Sequence, residues 1–326
     1  MKVKSTYVFV LFLFLACTKE NNNTQLQATA LSNLVVDTLK IPLNDLGKGT
    51  YRGHVGGLYP NGTNAPSGTY ATDLLNASKK IIPIDTFGRA SSLGKVVFIS
   101  LGGSTGGHNM DALKSKTVGN PATNPNLLLL KANNGSGLGS LNSIMNPNDP
   151  YWGHVSQIVH GAKSSYRQIQ VVYIETDDSS RTQNWPGRAN LVKSDLESCM
   201  RTLKQNFPNV KVLYVLGRTR TFTGQPGVKE PAPYYFGWGC KWAIEDQING
   251  VPGVKYKGTN PVAPMITWGF YQWADSLPRI TDKFYWRNSE TVDGLHANAS
   301  GQDTLSTRFQ NFLLTDKYAS IWYAKH

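Results

Sequence analysis

Two short segments of the chain carry residues able to do covalent chemistry. Ser104 lies in Ser100-Leu101-Gly102-Gly103-Ser104-Thr105-Gly106-Gly107, where glycines on both sides let the backbone turn sharply and approach a substrate closely. Asp293-Gly294-Leu295-His296 sets a carboxylate three residues ahead of an imidazole. A carboxylate on one ring nitrogen fixes the histidine tautomer and stabilises the imidazolium, so the other nitrogen can act as a general base. A serine deprotonated by such a base attacks an ester carbonyl, and that reaction calls for neither cofactor nor metal. Neither segment is specific alone. A Gly-rich turn also cradles phosphate or simply turns, and an Asp-x-x-His arises on ordinary surfaces. The serine segment lacks the Lys-Ser/Thr ending of a P-loop and the spacing of a dinucleotide fingerprint. Six dispersed histidines with no HExxH or paired-cysteine motif give no metal-binding pattern.

The elements that must position these residues are legible as alternating runs. Val96 to Ser100, Leu127 to Leu130, Ile169 to Ile174, Val210 to Leu216 and Pro264 to Trp268 are each apolar over a few residues, as strands covered on both faces should be. Helical spacing lies between several of them. Leu191, Leu196, Met200 and Leu203 share one face ahead of Phe207-Pro208-Asn209. A second helix covers Lys241 to Ile248, and a third follows Ser300 with Leu305, Phe309, Phe312 and Leu313. Strand and helix alternate. The fold class expected is α/β, a three-layer α/β/α sandwich on a mainly parallel five-stranded sheet of flavodoxin-like type, with ligands at the carboxyl ends of the strands. Ser104 follows the first strand, and the Asp-x-x-His precedes the last helix.

That order, with Asp293-Gly294-Leu295-His296 before the terminal helix, resembles the SGNH (GDSL-like) hydrolases. The resemblance implies Ser104 as nucleophile, His296 as base and Asp293 as the acid that orients it. Gly102-Gly103-Ser104 departs from the family's Gly-Asp-Ser. The family also binds the oxyanion with a glycine and an asparagine, which implies the Gly137 backbone N–H beside that of Ser104, with Gly139 as competitor, in Asn133-Asn134-Gly135-Ser136-Gly137-Leu138-Gly139-Ser140. The asparagine has no counterpart: the third strand runs into Glu175-Thr176-Asp177-Asp178. Gly57-Leu58-Tyr59-Pro60-Asn61-Gly62, Gly217-Arg218-Thr219, Lys241 to Gln247 and Trp268 to Asp275 resemble a little-characterised bacterial subgroup of that family, which also lacks the asparagine. In that subgroup the serine tends to be followed by Asn; here Thr105 follows it.

Other residues fall where substrate would lie. Arg218 follows the fourth strand and is placed either to pair with a substrate carboxylate or sulfate through its planar fork, or to make a structural salt bridge. Trp268 and Trp273 stand at a strand end, where tryptophans stack on sugars or simply pack. His108, four residues past Ser104, is a substrate-positioning or capping residue and a rival base. Glu175 and Asp177 end a strand near the site and are placed to hold a water or a hydroxyl.

Lys2 and Lys4 precede an apolar run from Tyr7 to Ala16 that is too short for a membrane span, which takes about 20 residues, and reads as an export signal. Leu15-Ala16-Cys17 resembles a bacterial lipobox; the alternative is an ordinary secretory signal. The expectation is a signal peptide over 1–16, a lipidated Cys17 with a flexible Asn- and Thr-rich tether over 17–44, and one domain over 45–326. The product would be an exported protein on the outer membrane or cell surface. Of 33 basic residues, Lys2 and Lys4 leave with the signal, so the net charge of +12 becomes +10. The surplus favours a polyanionic partner, and with no nucleic-acid motif an anionic glycan suits it better than nucleic acid. Cys199 and Cys240 either pair or pack. The expected activity is removal of a small acyl group, such as acetyl, from an extracellular polysaccharide; the alternative is a non-catalytic glycan-binding lipoprotein on the same scaffold.

Overall fold

The computed structural model describes residues 39–135, 138–179 and 184–326. The lipidation expected at Cys17 lies outside the described residues, as does the tether up to residue 38. The folded body begins ahead of the expected boundary at residue 45. Ile41 accepts a hydrogen bond from the Tyr234 hydroxyl at 2.8 Å, and Leu43, which opens α1 (Leu43–Leu46), is fully buried. A two-stranded ribbon follows, β1 (Thr50–Tyr51) with β2 (His54–Val55), and then α2 (Gly68–Lys79).

The five apolar runs form one parallel sheet. Its strands are β3 (Val96–Gly102), β4 (Leu127–Lys131), β5 (Ile169–Glu175), β6 (Val212–Val215) and β7 (Met265–Trp268), in the order β4-β3-β5-β6-β7. Consecutive residues of each strand feed opposite faces. Val97, Ile99 and Leu101 of β3 join Val172, Ile174, Leu213 and Val215 against α4 (Leu141–Met145), α5 (Tyr151–Gly161), α6 (Gly187–Asn206) and α7 (Ala232–Ile248). Val96, Phe98, Val171, Tyr173 and Tyr214 pack the other way, against α2, α3 (Ser104–Thr117), α8 (Ala299–Thr315) and α9 (Ser320–Tyr323). The chain is therefore an α/β three-layer sandwich. Burial on both faces is why the strands carry apolar residues continuously rather than alternately. Cys199 and Cys240 are both buried and free. Among the described residues no helix is long and apolar enough to cross a membrane.

Chain order departs from sheet order at β3. The chain leaves β3 to build β4 on one side and returns to build β5 on the other, so a crevice opens at the carboxyl ends of β3 and β5. Ser104 lies at that point.

The outer edge at β7 is closed by side chains instead of a sixth strand. Gln247 of α7, 2% exposed, accepts from the Ile266 N–H at 2.9 Å and from the Tyr70 hydroxyl at 2.6 Å. Its amide donates to the Pro264 and Val254 carbonyls at 2.9 and 3.0 Å. The Trp268 indole N–H donates to the Leu58 carbonyl at 2.7 Å, and Tyr59 meets Thr267 hydroxyl to hydroxyl at 2.7 Å. Gly57–Gly62, Lys241–Gln247 and the Trp268 segment, which stood out in the sequence, thus serve to cover an edge. Gln247→Leu keeps the volume and strands the Ile266 N–H and Pro264 carbonyl, each at about 1–3 kcal/mol. We expect the melting temperature to fall by roughly 2–4 °C for each kcal/mol lost, measured by calorimetry, with no change in the oligomeric state.

Candidate active site

β3 ends on Gly102, whose φ of +129° is open to glycine and strained for other residues. A Cβ there would also lie 2.5 Å from the Glu175 carbonyl of β5. Gly103 caps α3, and Ser104 is its first residue. Gly106 lies in the first turn, where a Cβ would meet the Glu175 carbonyl at 2.7 Å, so glycine lets the helix pack against the end of β5. Tyr151 ties the neighbouring strand ends together, accepting from the Gly102 N–H at 2.9 Å and donating to the Ala132 carbonyl at 2.8 Å. Ser104 is thereby held on the positive end of a helix, with its own N–H among those that have no intrahelical acceptor.

The histidine arrives on the loop before α8. Thr291 bridges Ala297 across that loop, and Val292 N–H donates to the His296 carbonyl at 2.8 Å. Gly294, at φ +80°, gives its carbonyl to Phe222 N–H at 2.7 Å, fastening the loop to the segment after β6; a Cβ there would lie 2.8 Å from Thr223 N. Asp293 Oδ1 takes the backbone N–H of Leu295 at 3.0 Å and of His296 at 2.8 Å. Its Oδ2 sits 2.8 Å from His296 Nδ1, and His296 Nε2 sits 2.8 Å from Ser104 Oγ. One continuous path runs from carboxylate through imidazole to hydroxyl across 192 residues of sequence. The backbone N–H of His296, and then the His296 ring, hold the Asp293 carboxyl down at about 2. It is therefore ionised wherever an imidazole can be neutral.

A cavity of about 220 Å³ opens in front of Ser104. It is lined by Gly103, Gly139, Thr176, Asp177, Asp178 and Arg218, and closed by Gln225–Val228 and Leu295. Gly139 lines it, whereas Gly137 lies outside the described residues. Thr176, next to the position where the resembling family has its asparagine, donates its hydroxyl to the Gly139 carbonyl at 2.6 Å and so anchors that loop. A Cβ at Gly103 would sit 3.3 Å from the same Thr176 oxygen. Asn133 is committed as well: its amide donates to the Gly103 carbonyl at 3.1 Å and its oxygen accepts from Ser100.

The other expected residues divide. Arg218 lines the cavity. Asp177 lines it too, but its Oδ1 is taken by Arg188 and by the Asp178 N–H. Glu175 does not reach the cavity: it is 1% exposed and accepts from Tyr173 and from Asn109 at 2.6 Å, anchoring α3 from beneath, and burial pushes its carboxyl up. Trp268 and Trp273 form no rim. Both are buried, their N–H groups spent on the Leu58 carbonyl and, at 2.9 Å, on the Glu230 carboxylate. This corrects the stacking role, since the aromatic faces are covered by Tyr271 and Tyr234. His108 stands beside the base, its ring centroid 5.7 Å from that of His296, with Nδ1 buried and unbonded. Burial and then the neighbouring His296 lower its pKa. It makes no bond to Ser104, whose hydroxyl is on His296. The wall at Gln225–Val228 escaped the sequence reading; its one signal was the turn-rich Gly224-Gln225-Pro226-Gly227 following a strand.

Fold and site together define an α/β sandwich with a preassembled Ser–His–Asp constellation at its switch point. No protein-family model matches the chain, and no curated protein sequence does. Among solved structures it is similar to a Bacteroides fragilis protein provisionally described as an acylhydrolase, at 13% identity and a TM-score of 0.35, over 76% of this chain and 97% of that one. A likeness of that size establishes neither family nor activity, and the site is defined by its own geometry.

The ionised Asp293 has a consequence for stability. Its carboxyl falls from an ordinary 3.8 to about 2 on folding, so the stabilisation is present above 3.8 and lost as pH falls through about 2. Asp293→Asn should melt below the wild type near neutral pH, and the two should converge towards pH 2 in thermal melts. An undiminished gap at pH 2 would contradict the assignment.

Proposed function

We propose that the protein is a serine ester hydrolase acting through an acyl-enzyme. The observation that carries this is the pair of 2.8 Å contacts joining Ser104 Oγ to His296 Nε2 and His296 Nδ1 to Asp293. Ser104 Oγ attacks the ester carbonyl carbon while His296 takes its proton. Collapse of the tetrahedral intermediate expels the alcohol, which receives that proton. Water, deprotonated by His296, then releases the acid and regenerates Ser104. Asp293 stays a carboxylate throughout and keeps Nδ1 protonated. The oxyanion is met by the N–H of Ser104 at the head of α3 and by the Gly139 segment anchored by Thr176.

The cavity of about 220 Å³ suits a small acyl group, such as acetyl. We read the substrate as an acylated extracellular polysaccharide, with export and lipidation at Cys17 placing the enzyme at the outer membrane or cell surface. Support for that comes from the signal-like first 16 residues and the surplus of positive charge. One observation favours a second reading, a glycan-binding lipoprotein with little turnover: among the described residues no asparagine side chain lines the cavity to complete the oxyanion hole.

Hydrolysis of p-nitrophenyl acetate separates the two readings. Ser104→Ala and His296→Ala should each lose at least about 10³-fold in kcat. The double variant should be no worse than either single one, because the pair acts as a unit. A wild type no faster than Ser104→Ala, with glycan binding intact, overturns the enzyme reading.

A further inference from the structure

We infer that Arg218 is a specificity residue of this site, recognising an anionic oxygen group, a uronate carboxylate or a sulfate, carried by the substrate beside the ester that Ser104 attacks. The inference rests on the serine-esterase reading above and names its substrate class.

The described residues contain two other deeply buried arginines for comparison, and both are fully employed. Arg188, wholly buried, is tied to Asp177 and Asp178. Arg279, 2% exposed, chelates Asp282 and donates to the Tyr271 and Trp273 carbonyls at 2.9 and 3.0 Å. Arg218 is 6% exposed and lines the Ser104 cavity, yet its Nε is buried without a hydrogen bond. Among the described residues it has no ion pair within 4.0 Å. A salt bridge was the alternative for this residue. The nearby carboxylates, Glu175 and Asp177, feel the Arg218 charge at longer range but make their short contacts elsewhere: Glu175 with Tyr173 and Asn109, Asp177 through Oδ1 with Arg188 and the Asp178 N–H. A buried guanidinium N–H left without an acceptor is costly, and an oxygen of an incoming anion that reaches it removes the cost.

The electrostatics of the corner leave that role to Arg218. Asp177 and Asp178, the two carboxylates lining the cavity, are both engaged by Arg188. Behind them burial, then the Asp178 charge, pushes Asp195 up to about 7, so it adds little negative charge below neutrality. Burial also raises Glu175, against the Tyr173 hydrogen bond and the Arg218 charge, which draw it down. The cation left facing the cavity, among the described residues, is Arg218. Its planar fork matches two oxygens of a carboxylate or sulfate, which an ammonium cannot do. Position argues the same way. Arg218 follows β6, two strands from β3, with β5 between. At about 4.8 Å per strand it stands roughly 10 Å from the strand that carries Ser104, beside the reacting carbonyl rather than on it.

The test compares O-acetylated oligogalacturonide with neutral O-acetylated xylo-oligosaccharide. The wild type should favour the uronide. Arg218→Gln should lower the uronide-to-xylan ratio of kcat/KM by about 30-fold or more, chiefly through KM. Arg218→Lys should recover part of it. An unchanged ratio overturns the inference, and so do equal losses on both esters, which would mark a structural or oxyanion role. A second arm uses Ser104→Ala, titrated calorimetrically with deacetylated oligogalacturonide and with inorganic sulfate. Binding of either should appear there and vanish on adding Arg218→Gln, and the stronger of the two identifies the anion. Binding without hydrolysis by the wild type would sink the esterase reading and leave the subsite standing. Hydrolysis without binding, at an unchanged ratio, would sink the subsite alone.

Discussion

At the carboxyl ends of β3 and β5 the backbones run so close that no side chain fits between them. A Cβ on Gly102 would meet the Glu175 carbonyl at 2.5 Å, and one on Gly106 would meet it at 2.7 Å. The loop after β4 closes on the same spot, with Gly139 packed against the Gly102 carbonyl and Asn134 donating to that oxygen at 2.9 Å. Three chain segments therefore converge backbone to backbone, with the Thr176, Tyr151 and Asn133 side chains tying them from the flanks. From that convergence follow the abrupt start of α3, the position of Ser104 on its first residue and the presence of Gly139 in the same cavity. Enlarging any of these glycines would push apart the parts that the proposed reaction needs together.

The histidine is delivered differently. Its loop is fixed by polar contacts: Asp293 gathers two backbone N–H groups as well as the imidazole, and Gly294 is bonded to the segment after β6. Asp293 is half exposed, so its low pKa comes from aimed donors rather than from a buried partner. The carboxylate thus shapes the loop and orients the base with the same two oxygens. A rigid backbone junction supplies Ser104, the proposed nucleophile, and a short hydrogen-bonded loop supplies His296, the proposed base.

Much of this was legible in the sequence. Runs such as Val96–Ser100 and Ile169–Ile174 announce strands because both faces of a central parallel strand must be apolar, and the helices between them follow from spacing. Ser104 and the Asp-x-x-His were legible because order along the chain tracks position at the strand ends. The tryptophans were not. Trp268 ends a strand, which suggests a rim, but strand position says nothing about what meets the ring: Tyr271, three residues on, folds back against it, and the distant Leu58 carbonyl takes its N–H. Glu175 misled for a related reason: alternation sets it on one face, and only the arrival of Asn109 on α3 turns that face into an interior.

What the sequence by itself determined is what depends on local spacing and composition: the α/β alternation, the glycines that permit tight approach, and the three-residue offset that lets Asp293 hold His296. What only the tertiary structure decided is which distant groups meet. The 2.8 Å contact between residues 104 and 296, the commitment of Thr176 to Gly139 and the buried, unbonded Nε of Arg218 all depend on packing of non-adjacent elements. Hydrogen bonds and burial act over a few ångströms, and the chain brings such groups within reach only when the whole sheet and both helical layers are assembled.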